Sequence, residues 1–260
     1  MNIDFITFCH PGDYHRLYAN TWLIDMIASH EIYFDTVRIV HQRCAGLDIP
    51  KPPIICDLNC GALNIIPSET HPNILTEFGY PEEDPIASRW THGPTGPHFY
   101  VYHNINHLIG LKVSDADYIV FSDSDCTIKS HDPGQNWIRK GIDILQRYPE
   151  ILIVSPGDGA TMAEALTAEG YRLTQNVSQQ LFLCSRQRLK NVDFNIPWNW
   201  EFLAPGGPFQ EFYYLLEGRI WRYMHKHGLW RCVLPDHVAR YWHFNKLTDN
   251  GLFETDYEKY

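Results

Sequence analysis

The sequence predicts an α/β fold, a mostly parallel central sheet with helices on both faces. Three observations predict it. Short apolar runs rich in β-formers ("NIDFITFC", "DTVRIVHQR", "DYIVFSDSDCTI") punctuate the first half. Between them lie segments whose apolar residues recur at helical spacing. Strand, helix and strand follow one another at the rhythm of parallel crossover units.

Taken in order, "NIDFITFC" reads as the first strand, closed by "HPGD". Asp13 then caps a helix whose apolar side is Tyr14, Leu17, Thr21 and Ile24. "DTVRIVHQR" is a second strand and "PPIICDL" a third. Residues 57–100 read as loop, with prolines recurring from Pro67 to Pro97. A helix follows in "YHNINHLIGLKVSDAD", burying Ile105, Leu108, Ile109 and Val113. It feeds the strand that opens at Asp117. Beyond that strand, Asp132 is placed to cap and Pro133 to open a helix that buries Ile138, Ile142 and Leu145. "ILIVSP" and "SQQLFLCS" are further strands, and an aromatic helix from Gly206 stops at Gly228. "LWRCVLP" and "HVARYWHF" close the chain's regular structure. No repeat or hydrophilic linker divides it, so residues 1–260 read as one domain.

Composition narrows the function. The 260 residues are 44% hydrophobic and 20% charged, an ordinary globular balance that can bury a core without staples. A net charge of −10 repels nucleic acid and anionic lipid. No apolar run approaches the ~18 residues of a membrane span, and "MNIDFITFCHPGDY" shows no signal peptide. Cys56 and Cys60 are a close pair without zinc-ligand spacing, and Cys9, Cys126 and Cys184 read as buried thiols. A reducing cytoplasm is the expected setting.

The stretch "DYIVFSDSDCTI" carries the chemistry. Tyr118, Ile119, Val120 and Phe121 deliver the chain into Asp123 and Asp125. Two carboxylates that close repel, unless a divalent cation sits between them. Mg²⁺ and Mn²⁺ prefer oxygen ligands and keep positions open for phosphate oxygens. The carboxyl end of a sheet strand is where α/β folds bind ligands. The competing reading is a surface turn in which both aspartates cap backbone and face water. A calcium EF-hand is excluded because Ile128 stands where its loop requires glycine. "DSDCT" also fits a haloacid-dehalogenase-type phosphatase, and "SPGDGATM" with Asp158 mimics a later acidic motif. The spacing between the two is too short for the elements that should intervene.

From "NHLIGLKVSDADYIVFSDSDCTI" the chain resembles GT-A-fold glycosyltransferases, especially the family-2-like group with an Asp-x-Asp motif. That resemblance implies a single Rossmann-like domain, with residues of about 1–128 holding a nucleotide-sugar and about 129–260 the acceptor. It implies Mn²⁺ or Mg²⁺ as cofactor and a UDP-sugar as donor. Asp125 is then the direct metal ligand, and Asp123 meets the ribose or the metal through water. His10, Pro11 and Asn104 lie beside the nucleotide-sugar. The acid expected after the second strand is missing from "RIVHQRC". Inverting transfer needs a base for the acceptor hydroxyl. Glu211, early in the aromatic helix, matches that place in the family, with Asp158 and Glu201 in reserve. Where relatives often have Glu-Asp, this chain has Glu211-Phe212. A late histidine meets the metal in many relatives, His243 being favoured over His237. "HKHG" lacks the continuation that retaining relatives show.

Trp198 and Trp200 either stack on sugar or fill the core, and Gly206 and Gly207 are placed to hinge a lid. Gln179 and Gln180 either meet acceptor hydroxyls or pack a turn. The expected activity is metal-dependent transfer of a sugar to a saccharide or other hydroxyl acceptor. The alternatives are a phosphatase or nucleotidyltransferase built on the same aspartates, or a carbohydrate-binding protein without turnover.

Overall fold

The first apolar run forms β1 (Ile3–Cys9), buried along its whole length. In this computed structural model the described residues are 1–9, 17–18, 22–41, 58–80, 99–129, 134–157, 163–178, 180–196, 216–243, 246–247 and 253–254. Leu17, Tyr18 and α1 (Trp22–Ala28) follow, and α1 buries Leu23, Met26 and Ile27. That face is turned from the expected one, since Ile24 is only partly buried.

Next come β2 (Phe34–His41), β3 (Cys60–Pro67), a 3₁₀ turn (Ser68–Thr70) and α2 (Ile74–Glu77). The third strand therefore lies inside the stretch read as loop. Residues 52–57, where the third strand was expected, are outside the described set. The chain continues through α3 (Phe99–Val113), β4 (Tyr118–Ser122) and β5 (Cys126–Lys129). It then forms α4 (Trp137–Arg147), β6 (Ile151–Ser155), β7 (Ala165–Leu166), β8 (Arg172–Thr174) and β9 (Leu181–Ser185). The last elements are α5 (Arg186–Lys190), α6 (Leu216–His227), β10 (Trp230–Val233), β11 (Arg240–His243), β12 (Lys246–Leu247) and β13 (Phe253–Glu254). Asn136, not Asp132, caps α4: its side chain accepts from the N–H groups of Ile138 and Arg139. Gly228, at φ 62°, ends α6 as expected.

The main sheet runs β3-β2-β1-β4-β9-β6-β10-β8-β7. Strands β9 and β8 oppose the direction of the other seven. Alternation sends side chains to two cores. Ile3, Phe5 and Cys9 of β1 face one, with α1 and α4; Ile6 and Phe8 face the other, with α3 and α6. A sheet covered on both faces explains why its strands read as unbroken apolar runs. Gly110 lets α3 lie close: a Cβ there would meet Ile6 at 2.7 Å.

The N-terminal end of the sheet is locked by charge. Asp4 is buried and accepts from Arg38 Nε at 2.8 Å and Ser114 Oγ at 2.7 Å. Arg38 also reaches Asp115 at 3.1 Å. Among the described residues no helix is long and apolar enough to cross a membrane.

Candidate functional site

Strand β4 hands the chain to Asp123, Ser124 and Asp125 at the C-terminal end of the sheet. Asp123 is buried and Asp125 half-buried. Backbone bonds set the turn: Asp123 N–H donates to Gln180 O at 2.7 Å, and Cys126 N–H donates back to Asp123 O at 3.2 Å. Helix α1 fixes the far side. Trp22 Nε1 donates to Ser124 O at 2.7 Å, and Ile128 N–H donates to Ser29 Oγ at 3.1 Å. The turn that carries both aspartates is thus held by main-chain and indole groups.

The second strand of this region comes from far along the chain. Strand β11 pairs antiparallel with β5, not with the main sheet, in the register His243 opposite Cys126, Tyr241 opposite Ile128. The backbone of His243 therefore lies next to Asp125. Its side chain lies outside the described residues. Two further contacts tie β11 down. Tyr241 OH donates to Gln180 Oε1 at 2.9 Å, and Tyr241 N–H donates to Gly157 O at 3.2 Å. Gln180 leads directly into β9 and joins β11 to the aspartate turn, the turn-packing alternative of the sequence reading. His237 is exposed on the turn before β11.

Beside this turn the ends of β1 and β2 stand in register, Cys9 opposite His41. His41 is buried and hydrogen-bonded to Tyr18 OH. Burial lowers its pKa to about 4, so the imidazole is neutral near pH 7. The pair stands at the end of β2. Sequence reading missed it because its partners are 23 residues apart.

Helix direction locates the remaining candidates. Helix α6 feeds β10 through the Gly228 turn, so it runs against the strands and begins at the C-terminal end of the sheet. Glu211 precedes its first residue, Leu216, by five positions, outside the described residues. Helix α3 feeds β4 in the same way. Asn104 lies in its first half, its side chain outside the described set. His10, Pro11, Asp158, Gln179, Trp198, Trp200, Glu201, Gly206 and Gly207 are also outside it.

Two carboxylates beside an imidazole-bearing strand suit a hard divalent ion. Among the described residues no three His, Cys, Asp or Glu side chains gather into a metal cluster. Asp123 and Asp125 are the acidic residues of the turn, and the backbone of His243 stands opposite Cys126.

No family model matches the chain, and no curated protein matches it in sequence. Solved structures do. GalNAc-T7, crystallised with UDP, GalNAc and Mn²⁺, aligns with a TM-score of 0.50 at 9% identity, covering 94% of this chain and 44% of that one. The chain has the GT-A fold. It spans less than half the length of GalNAc-T7. Mouse xyloside xylosyltransferase 1 aligns with a TM-score of 0.48 at 12% identity, covering 90% of this chain and 85% of that one. A 4-diphosphocytidyl-2C-methyl-D-erythritol synthase from Anaerococcus prevotii aligns with a TM-score of 0.44 at 10% identity, over 99% and 92%. At these identities the GT-A likeness fixes the path of the chain, while the chemistry rests on the residues at the sheet's end.

Proposed function

We propose that this chain is a divalent-metal-dependent glycosyltransferase. It moves a sugar from a nucleotide-sugar, a UDP-sugar, to a hydroxyl of a saccharide or other acceptor, with inversion at the anomeric carbon. One observation carries the reading: the Asp123-Ser124-Asp125 turn ends the central strand β4 of a GT-A fold, with β11 setting His243 opposite Cys126. The UDP and Mn²⁺ in GalNAc-T7 support the donor and ion assigned here.

In this reading Asp125 and His243 hold Mn²⁺ or Mg²⁺, and Asp123 meets the ribose or a metal-bound water. The ion, when bound, neutralises charge on the departing diphosphate. Residues of about 1–128 seat the donor, with His10, Pro11 and Asn104 along it, and about 129–260 seat the acceptor. Glu211 takes the acceptor's hydroxyl proton as that oxygen bonds to the anomeric carbon. The bond from that carbon to the diphosphate oxygen breaks, and its electron pair leaves with UDP.

The test couples calorimetry to UDP release. Mn²⁺ should bind with UDP present, and UDP-sugar should turn over. Asp125→Ala should lower turnover by about 100-fold or more without shifting the melting temperature. Glu211→Gln should lower kcat and leave UDP–Mn²⁺ binding intact. Absence of Mn²⁺ and Mg²⁺ uptake with UDP present would overturn the reading. Phosphate release from simple esters would replace it with the phosphatase.

A further inference from the structure

The aspartate turn sits inside a closed circuit of contacts. The circuit starts at Asp123 N–H, which donates to Gln180 O at 2.7 Å. It follows the chain through Asp125 into β5 and crosses to β11, where Ile128 stands opposite Tyr241. It returns through the Tyr241 hydroxyl, which donates to Gln180 Oε1 at 2.9 Å. Gln180 is therefore bound twice. Its backbone holds the upstream end of the turn, and its side chain holds the strand that flanks the downstream end.

The fold does not depend on that closing bond. Strand β11 is already paired with β5 along Arg240–His243. Two main-chain bonds also tie it to the end of β6: Gly157 N–H donates to Ala239 O at 2.9 Å, and Tyr241 N–H donates to Gly157 O at 3.2 Å. Gln180 leads into β9, which pairs with β4 from Leu181 opposite Ser122 to Ser185 opposite Tyr118. The Tyr241 ring packs against the core shared with α1 and α4, so its hydroxyl starts from a fixed base. Alternation puts Arg240 and Trp242 on the other face of β11, where the Arg240 guanidinium lies over the indole at 5.2 Å.

What the bond adds is a fixed width across the turn. Asp123 stands on the Gln180 side, and Asp125 stands beside Cys126 on the β11 side. The Tyr241–Gln180 bond ties those two sides together by side chain. Magnesium in particular demands near-ideal octahedral geometry from its oxygen ligands. The separation of the two carboxylates therefore governs how well they hold such an ion.

We propose that Tyr241 is a positioning residue for the metal of the donor site: acting through Gln180, its hydroxyl sets the separation of the Asp123 and Asp125 carboxylates. The ion rests on the glycosyltransferase reading. The brace itself is a property of the empty protein and is tested there first.

Amide hydrogen exchange in the intact, metal-free protein is the first measurement. In Tyr241→Phe the Asp123 N–H should exchange about 10-fold faster than in the parent, with the amides of β4 unchanged. An unchanged Asp123 rate overturns the proposal, whatever the protein binds. Calorimetry of Mn²⁺ with UDP present is the second. Tyr241→Phe and Gln180→Met should each weaken Mn²⁺ binding by about 10-fold, as loss of a group that orients a metal ligand does. The double variant should lose no more than either single one, because each change opens the same link. The electron paramagnetic resonance spectrum of the bound Mn²⁺ should change alike in all three, and their melting temperatures should stay within about 4 °C of the parent. Trp242→Phe, on the other face of the strand, should leave Mn²⁺ affinity within about 2-fold. Losses that add in the double variant, or an equal loss in Trp242→Phe, overturn the proposal. A parent protein that takes up no Mn²⁺ with UDP present removes the glycosyltransferase reading instead, and the Asp123 exchange rate still decides whether Tyr241 braces the turn.

Discussion

The two ends of the central sheet both carry aspartates, and they treat them differently. At the N-terminal end, Asp4 is closed in by Arg38 and Ser114, so side chain neutralises side chain. At the C-terminal end, the Asp123–Asp125 turn is positioned by Gln180 O, the Trp22 indole and Ser29, partners of the backbone. The first arrangement makes a carboxylate part of the fold. The second sets the turn's path through main-chain contacts, as a preorganised ligand site requires.

The largest stability effect tests this contrast directly. Asp4→Ala leaves the buried Arg38 guanidinium with the exposed Asp115 as its remaining acid partner, so the loss should approach, but not exceed, the about 3–5 kcal/mol of a fully broken buried pair. Denaturant unfolding of Asp4→Ala should show that loss, and Asp125→Ala should stay within about 1 kcal/mol of the parent. If the two lost stability equally, the ends would not differ in kind.

Acid is the second probe. His30 packs among Phe5, Phe34 and Trp137, and Trp137 Nε1 donates to its Nδ1 at 3.2 Å, which leaves the ring proton on Nε2. Burial lowers its pKa to about 3, and that of His41 to about 4. Both are depressed below the unfolded value near 6.5, so the unfolded chain binds more protons in the interval between. Their contribution is complete above about pH 6.5 and is lost as pH falls toward 4 and then 3. His30 alone accounts for on the order of 5 kcal/mol across that window. Melting measured from pH 7 to pH 4 should fall steeply, and His30→Phe should flatten the slope. An unchanged slope in His30→Phe would mean other groups drive the acid loss.

How much of this was legible depends on whether a feature is local. The runs of β1 and β4 are buried on both faces, so their sequence is mostly apolar text, and β2 keeps Val37, Ile39 and Val40 in the core. The helix over Ile105, Leu108 and Ile109 shows its period in the same way. Strand β3 escaped because it is half exposed and carries Gly61 and Asn64, which weaken a strand pattern. Asp132-Pro133 was the more familiar helix start, yet Asn136 caps α4 and also donates to His30 O at 2.7 Å, a contact no local pattern announces. At the site, Asp123 and Asp125 were readable because the apolar strand leads straight into them. Strand β11 could be read as extended, but nothing near residue 240 reveals that it pairs with β5. The Tyr18–His41 pair and the Trp22–Ser124 bond join distant positions, the latter 102 residues apart.

A third test falls between the two halves of the C-terminal end. Gly157 joins β6 to β11, and Gly157→Ala would drive a methyl group to 2.1 Å from Asp236 Oδ1 and 3.1 Å from Asp236 Cα. The Asp236 carboxylate must swing aside and its Cα shift by a few tenths of an ångström, at a cost of about 1 kcal/mol. The acceptor KM should rise while UDP–Mn²⁺ affinity holds, because the aspartate turn rests on Gln180 and α1. A matching loss of UDP–Mn²⁺ affinity would show that the two halves move as one.

The smallest expected effect concerns the indole that braces the turn. Trp22→Phe keeps a smaller aromatic ring against the core and removes the N–H that reaches Ser124 O at 2.7 Å. The loss of one such hydrogen bond costs about 1 kcal/mol. Ser124 stands between the two aspartates, so slackening its carbonyl changes the angle between their side chains more than it changes the fold. Mn²⁺ affinity measured with UDP present should therefore fall by more than stability does, whereas a conservative change at the N-terminal lock, Ser114→Ala, should do the reverse. If Trp22→Phe lowered the unfolding free energy and left Mn²⁺ affinity untouched, the brace would belong to the core, and the turn would owe its shape to Gln180 alone.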